Sequence, residues 1–243
     1  MILTAGDAKK GMGIASLGKL RTRARMNRLK QWLIALAIVS VAVAICYVWL
    51  DGPIALWVHG NRIGYHSREL LEPLTHIPDP LIPIGAALFF ALGLRALAGG
   101  PLRKSYDAIV VCGLSVVMGE QVKDDFKWLF GRPWPETWRN DNSSFIKHQD
   151  YAFHWFHGGG QFASFPSGHM TATTAVLSVL WICYPRFRPL YLLIALAVAI
   201  GLVGSNFHFL GDCIAGAFLG STVGWMTVLL FDRAPSSPII PRN

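Results

Sequence analysis

The stretch Trp32–Leu50 contains no charged side chain, and that run, with the others like it, constrains the fold more than any other feature. A hydrocarbon core about 30 Å thick is crossed by roughly 20 helical residues. Backbone polar groups find no water there, so a single spanning segment has to satisfy them within a helix. Pro80–Ala98 is a second run, with Arg95 near one end where its long stem can snorkel to the surface. Pro166–Tyr184, Leu190–Phe207 and Gly211–Phe231 supply three more. The run that starts at Tyr106 is different. Ala108–Met118 is apolar, but the chain continues through Glu120, Lys123, Asp124, Asp125 and Lys127 before Gly131 and Pro133. Charges on the second half of a membrane helix are costly unless they face a polar cavity, so a site is expected there. The expected fold is an all-α integral membrane bundle of six helices. Composition agrees: 53% of residues are hydrophobic and 15% charged, where a soluble domain carries about 25% charged residues. A disordered chain is excluded, and the composition points away from an ordinary soluble globule.

The formal net charge of +8 alone would suggest nucleic acid or an anionic membrane surface. Its distribution argues against nucleic acid. Eight of the 22 cations lie in Lys9–Lys30, a terminal block rather than a face. With the N-terminus in the cytoplasm, six alternating spans leave 15 cations inside and seven outside. That asymmetry follows the positive-inside rule. The expected organisation is a basic cytoplasmic segment 1–31, a six-span membrane domain 32–231 and a short cytoplasmic tail 232–243. The first run is long for a signal peptide's apolar region and no clear small-residue cleavage site follows, so it is read as a retained helix. Asp51–Asp79 and Gly131–Phe165 then face the extracytoplasmic side.

Within Asp51–Asp79 the pattern Ile63, His66, Leu70, Leu71 and Leu74, flanked by charges, reads as an amphipathic helix lying in the interface. His59, His66 and His76 are expected among headgroups. Gly216, Gly220 and Gly224 form a small-residue stripe suited to close helix packing. Cys46, Cys112, Cys183 and Cys213 stand alone in apolar stretches and read as small buried hydrophobes, with neither zinc-site spacing nor a disulfide framework.

Three places on the outer side concentrate polar residues beside membrane helices: Lys127–Pro135, Phe165–His169 and His208–Asp212. Ser167, Gly168 and His169 open a helix, where free backbone N–H groups and the positive end of the dipole favour an anion. His208 and Asp212 are four apart, on one helical face. The carboxylate then takes one imidazole nitrogen and leaves the other as base or nucleophile. Arg132 and Lys127 are cations matched to phosphoryl oxygens. Each pattern also has an ordinary structural reading: a helix start, an i,i+4 hydrogen bond, an Arg-Pro stop. Their joint placement on one membrane face suits phosphoryl transfer through a phosphohistidine.

At these residues the sequence resembles the type 2 phosphatidic acid phosphatase (PAP2) superfamily, whose signature is Lys-x6-Arg-Pro, Pro-Ser-Gly-His and Ser-Arg-x5-His-x3-Asp. Pro166–His169 matches in full, His208-x3-Asp212 matches the end of the third part, and Arg132-Pro133 the end of the first. The resemblance runs from the third span to the sixth and points to the integral-membrane branch. It implies that His208 is the nucleophile, Asp212 orients it and His169 protonates the leaving group. It further implies that Arg132, Ser167 and the Gly168 backbone hold the phosphoryl oxygens, with no metal or other cofactor. The implied partners are a lipid phosphate substrate and the bilayer. The implied location is the bacterial inner membrane, with the site facing the periplasm.

Two positions depart from the signature. Asp125 stands seven before Arg132, where the family has Lys; the nearest lysines are Lys127 and Lys123. On an unbroken helix Lys127 would point about 140° away from Arg132, so it serves only if the chain leaves helix near Gly131. Leu202 stands six before His208, where the family has Arg. Arg139, Lys147, His154 or His157 of the outer loop are the candidates to replace that cation. The loop's Trp134, Trp138, Trp155, Phe153 and Phe156 read mainly as an interfacial belt; the alternative is a wall at a lipid entrance, with Gly158–Gly160 as its hinge. The expected function is hydrolysis of a lipid phosphomonoester or diphosphate at the extracytoplasmic face. A lipid phosphotransferase using the same phosphohistidine and a catalytically weakened lipid-phosphate binding or transport protein are the alternatives.

Overall fold

The computed structural model describes residues 26–60, 63–99, 107–137 and 141–231. The chain divides into two compact units, Met1–Val41 and Ala42–Asn243. In the first, residues 26–41 are helical and open α1 (Met26–Gly60). The second carries a π-helical turn at Cys46–Leu50, directly before Asp51. It continues with α2 (Ile63–Thr75), α3 (Leu81–Leu97), α4 (Asp107–Phe130), the single turn α5 (Phe145–His148), α6 (Gly168–Cys183), α7 (Arg188–Gly204) and α8 (Leu210–Phe231). Each of the six expected spans coincides with a helix. Three helical stretches are long and apolar enough to cross a membrane: Met26–Gly60, Pro185–Gly204 and Leu210–Phe231. Leu81–Leu97 and Gly168–Cys183 are shorter apolar helices, and α4 is the one that carries charges. Lys9–Arg25, Arg62, Arg103, Lys104, Trp138, Arg139 and the tail 232–243, all used in the sequence reading, lie outside the described residues, as do the side chains of His66 and Arg68.

Glycines set the helix spacing. Gly216, Gly220 and Gly224 of α8 face the α6 backbone: added Cβ atoms would overlap the carbonyl oxygens of Ser167, Thr171 and Ala175 in turn. The expected small-residue stripe therefore seats α6 on α8. Ser167 N–H also donates to the Asp212 carbonyl at 3.1 Å, so the N-terminal ends of the two helices are locked together. Gly85 and Gly113 bring α3 and α4 into backbone contact, with a Cβ on Gly113 only 2.7 Å from the Gly85 oxygen.

Two segments that connect the long helices differ from expectation. The helix α2 has the expected amphipathic pattern, but it is seated on α7: a Cβ on Gly201 would stand 2.9 Å from the Leu71 oxygen and from Leu74 Cβ. Its apolar stripe thus has a protein partner that its own sequence does not reveal. The segment between α4 and α6 is held by two isolated bridges, Arg132 to Ala163 and Trp134 to Ser144. Its aromatics divide. Phe130, Phe153 and Phe165 pack edge to face at 4.9–5.9 Å, while Trp155 and Phe156 stay exposed as a belt would require.

Candidate active site

His208 lies just ahead of α8, after a turn in which Asn206 adopts φ 55°. Asp212 is in the first turn of that helix, so the pair is formed at a helix start rather than along one helical face. One carboxylate oxygen of Asp212, Oδ2, accepts from the Phe209 backbone N–H at 3.1 Å, closing the helix end as a capping residue does. The same oxygen accepts from Ser164 Oγ at 2.6 Å and faces His208 Nδ1 at 3.6 Å. Ser164 Oγ is 3.4 Å from that nitrogen. Nδ1 is therefore turned toward Asp212 and Ser164, which leaves Nε2 for the cavity. A separation of 3.6 Å is longer than a formed hydrogen bond, as catalytic pairs often are before substrate binds.

The cavity above His208 has a volume of about 520 Å³. Across it stands His169, its ring centroid 6.3 Å from that of His208. Gly168, Lys123, Lys127 and Trp134 complete the wall nearest the two imidazoles. Both ammonium groups reach the start of α6: a Cβ on Gly168 would lie 3.6 Å from Lys123 Nζ and 3.7 Å from Lys127 Nζ. Lys123 is held by Glu120 at 2.6 Å and Asp124 at 3.1 Å. Lys127 lies 5.7 Å from the centre of the Trp134 ring and has no ion pair among the described residues. Two cations beside a helix N-terminus are an arrangement whose charge suits a tetrahedral dianion.

The condition placed on Lys127 is met, because α4 ends at Phe130 and Gly131 takes φ 53°. That left-handed residue redirects the chain without bringing the two cations together: Lys127, within α4, lines the cavity, and Arg132 does not. Arg132 and Ser167, both expected to hold phosphoryl oxygens, are fully buried behind the cavity. The Ser167 hydroxyl caps α6, accepting from Met170 N–H at 3.4 Å. Arg132 donates to Asp212 Oδ1 at 2.6 Å and to Asp51 Oδ2 at 2.9 Å. Burial pushes its guanidinium down, and the two carboxylates more than reverse that, so its affinity for the proton rises. Burial likewise pushes the His208 imidazole below its ordinary 6.5; Lys127 adds to the fall, and Asp212 opposes it.

The family model of the PAP2 superfamily matches residues 108–235, a stretch that contains the two imidazoles, Asp212 and both lysines. The chain belongs to the PAP2 superfamily. Among curated PAP2-region relatives, the lipid A 1-phosphatase of Rhizobium etli is 27% identical over 213 residues, covering 84% of this chain and 86% of that protein. The lipid A 1-phosphatase of Rhizobium johnstonii is 26% identical over 213 residues, with 84% and 82% covered. The transmembrane PAP2 type phosphatidylglycerolphosphate phosphatase from Bacillus subtilis, a crystal structure, is 18% identical with a TM-score of 0.47, covering 85% of this chain and 96% of that one.

Against the PAP2 signature the two departures have structural counterparts. Leu202 is fully buried with Met170, Val198 and Cys213, so the position of the missing Arg is occupied by core. Of the described replacements, Lys147 pairs with Asp141, His154 with Asp150, and His157 packs on Phe162. None of these lines the cavity; Lys123 does. Three acidic or hydroxyl groups escape the sequence reading. Ser164 lies three residues ahead of Ser167, Asp51 ends a charge-free run, and Asp79 sits between α2 and α3. Asp79 is 3.4 Å from His169 Nε2 and 2.6 Å from His76 Nδ1. His76, expected among headgroups, thus lines the cavity because α2 is seated beside it.

Proposed function

We propose that this PAP2-type lipid phosphatase removes a phosphate from a lipid headgroup at the extracytoplasmic face by way of a phosphohistidine on His208. The observation that carries the reading is the pair of imidazoles across one cavity, with the Asp212 carboxylate behind His208 and two lysines beside the start of α6. His208 Nε2 attacks phosphorus as the bond to the leaving oxygen breaks, and His169 gives that oxygen its proton. Water then attacks the phosphohistidine and loses its proton to His169, releasing phosphate and restoring both imidazoles. Lys127, Lys123 and the Gly168 backbone spread the phosphoryl charge. Asp212 offsets the positive charge that His208 gains.

The two relatives named as lipid A 1-phosphatases align with most of this chain, which supports a lipid A type 1-phosphate as the first substrate to test. The cation distribution supports the bacterial inner membrane as the location and a site open to the periplasm.

The test is phosphate release by purified protein in detergent from lipid A 1-phosphate, phosphatidylglycerol phosphate, phosphatidic acid and a polyprenyl diphosphate. His208→Ala serves as the control. Release by wild type alone is expected. Transfer of the phosphate to an added acceptor lipid would select the phosphotransferase, and folded wild type inert on every substrate would select the binding protein. Reporter fusions that place the N-terminus and His169 on one side of the membrane would overturn the orientation.

A further inference from the structure

Asp51 is a fully buried carboxylate in α1, outside the stretch that matches the family model, and no step proposed above uses it. The residues around it give it a task. Arg132 spans two carboxylates, with one amino group 2.6 Å from Asp212 Oδ1 and the other 2.9 Å from Asp51 Oδ2. Asp51 Oδ1 accepts from the Gly211 backbone N–H at 2.9 Å, one residue before Asp212. The approach requires glycine there, because a Cβ on residue 211 would stand 2.9 Å from Asp51 Oδ2 and 3.3 Å from Cys46 Cβ. Aromatic rings close the remaining sides of the guanidinium. Phe209 lies 4.1 Å from its central carbon, and Tyr47, Tyr151 and Phe153 lie at 5.2–5.3 Å.

We infer that Arg132 is a positioning residue for Asp212 rather than a phosphate ligand, and that Asp51 is the second positioning residue of the same buried triad. This rests on the lipid phosphatase reading. A phosphate in the cavity meets Lys127, Lys123 and the start of α6, while Arg132 does not line that space. To bind phosphate, Arg132 would have to leave a carboxylate and its fully buried position.

The charge count explains why two carboxylates share one guanidinium. Asp212 and Arg132 alone would sum to zero, and little field would remain to stabilise His208 as it becomes cationic on phosphorylation. With Asp51 the triad keeps one negative charge behind the imidazole, on fully buried side chains. Asp51 thereby lets Arg132 fix the geometry of Asp212 without neutralising it.

The experiment compares Asp51→Asn, Arg132→Lys and Lys127→Ala in the full chain, after gel filtration and thermal unfolding show each to be folded. Three quantities are read: kcat, KM for the lipid phosphate, and the affinity for inorganic phosphate from the rise in unfolding temperature. The amide introduced by Asp51→Asn keeps an oxygen for the Gly211 N–H and loses the charge. In that variant kcat is expected to fall about tenfold or more, with KM and phosphate affinity within about twofold of wild type. Arg132→Lys is expected to behave the same way, since an ammonium cannot serve two carboxylates as a planar fork does. Lys127→Ala is expected to lose phosphate affinity instead.

Loss of phosphate affinity in Arg132→Lys comparable to that in Lys127→Ala would overturn the inference, as would an unchanged kcat in Asp51→Asn. If Asp51→Asn does not fold, Arg132→Lys decides alone. Phosphate affinity is read without turnover, so a wild type that binds phosphate but hydrolyses no lipid phosphate counts against the phosphatase reading and not against the placement of Arg132.

Discussion

Ser164 and Asp212 are joined by a 2.6 Å hydrogen bond that is wholly buried beneath His208. Asp212 Oδ2 carries that bond, the Phe209 N–H and the contact with His208, so Ser164 helps decide where the carboxylate points. Ser164→Ala leaves a buried carboxylate one partner short. A hydrogen bond to a charged group is worth about 1.5–3 kcal/mol. The expected result is a fall in kcat of about tenfold or more with KM little changed, measured by steady-state phosphate release.

The pH dependence follows from the burial of His208. Its imidazole is held below the ordinary 6.5, so the neutral nucleophile persists into mildly acid solution. In the unfolded chain the same group takes up a proton near 6.5, so below that pH the unfolded state binds more protons than the folded one. This part of the stability is complete above 6.5 and is lost as pH falls through the lower folded value. Unfolding temperature in detergent should decline below pH 6.5, and the acid limb of kcat/KM, which reports the free enzyme, should have its midpoint below 6.5. An acid limb centred above 6.5 would contradict the burial argument.

Lys127 and Lys123 should not be equivalent. Lys127 has no ion pair among the described residues, whereas Glu120 and Asp124 both hold Lys123. Lys127→Ala is expected to weaken inhibition by inorganic phosphate about tenfold, or ~1.4 kcal/mol. Lys123→Ala is expected to weaken it roughly threefold. Inhibition constants for phosphate against both variants test the order.

Gly131 is the residue at which the chain leaves α4, directly ahead of Arg132. Its φ of 53° suits glycine, and a Cβ there would overlap the carbonyl oxygen of His154. Gly131→Ala should cost at least about 2 kcal/mol of stability, seen as a lower unfolding temperature. Activity should fall with it, because the redirected chain is what carries Arg132 to Asp212 and Asp51.

By itself the sequence determined the helices and the reactive groups. Charge-free runs leave a backbone in lipid no alternative to helix, so α1, α3, α6, α7 and α8 were legible from composition alone. The charges in the second half of α4 and the motifs at His169 and His208 likewise announced where a polar cavity had to lie. The tertiary structure decided what stands in the cavity and what stands behind it. Spacing alone does not show that α2 is seated on Gly201, which brings His76 and Asp79 beside His169. Nor does it show that α1 approaches Gly211 closely enough for Asp51 to hold Arg132. The physical reason is that helix formation is settled by local hydrogen bonding and hydrophobicity. A buried charge is settled by whichever partner the packing delivers, and Arg132 and Asp51 are 81 residues apart.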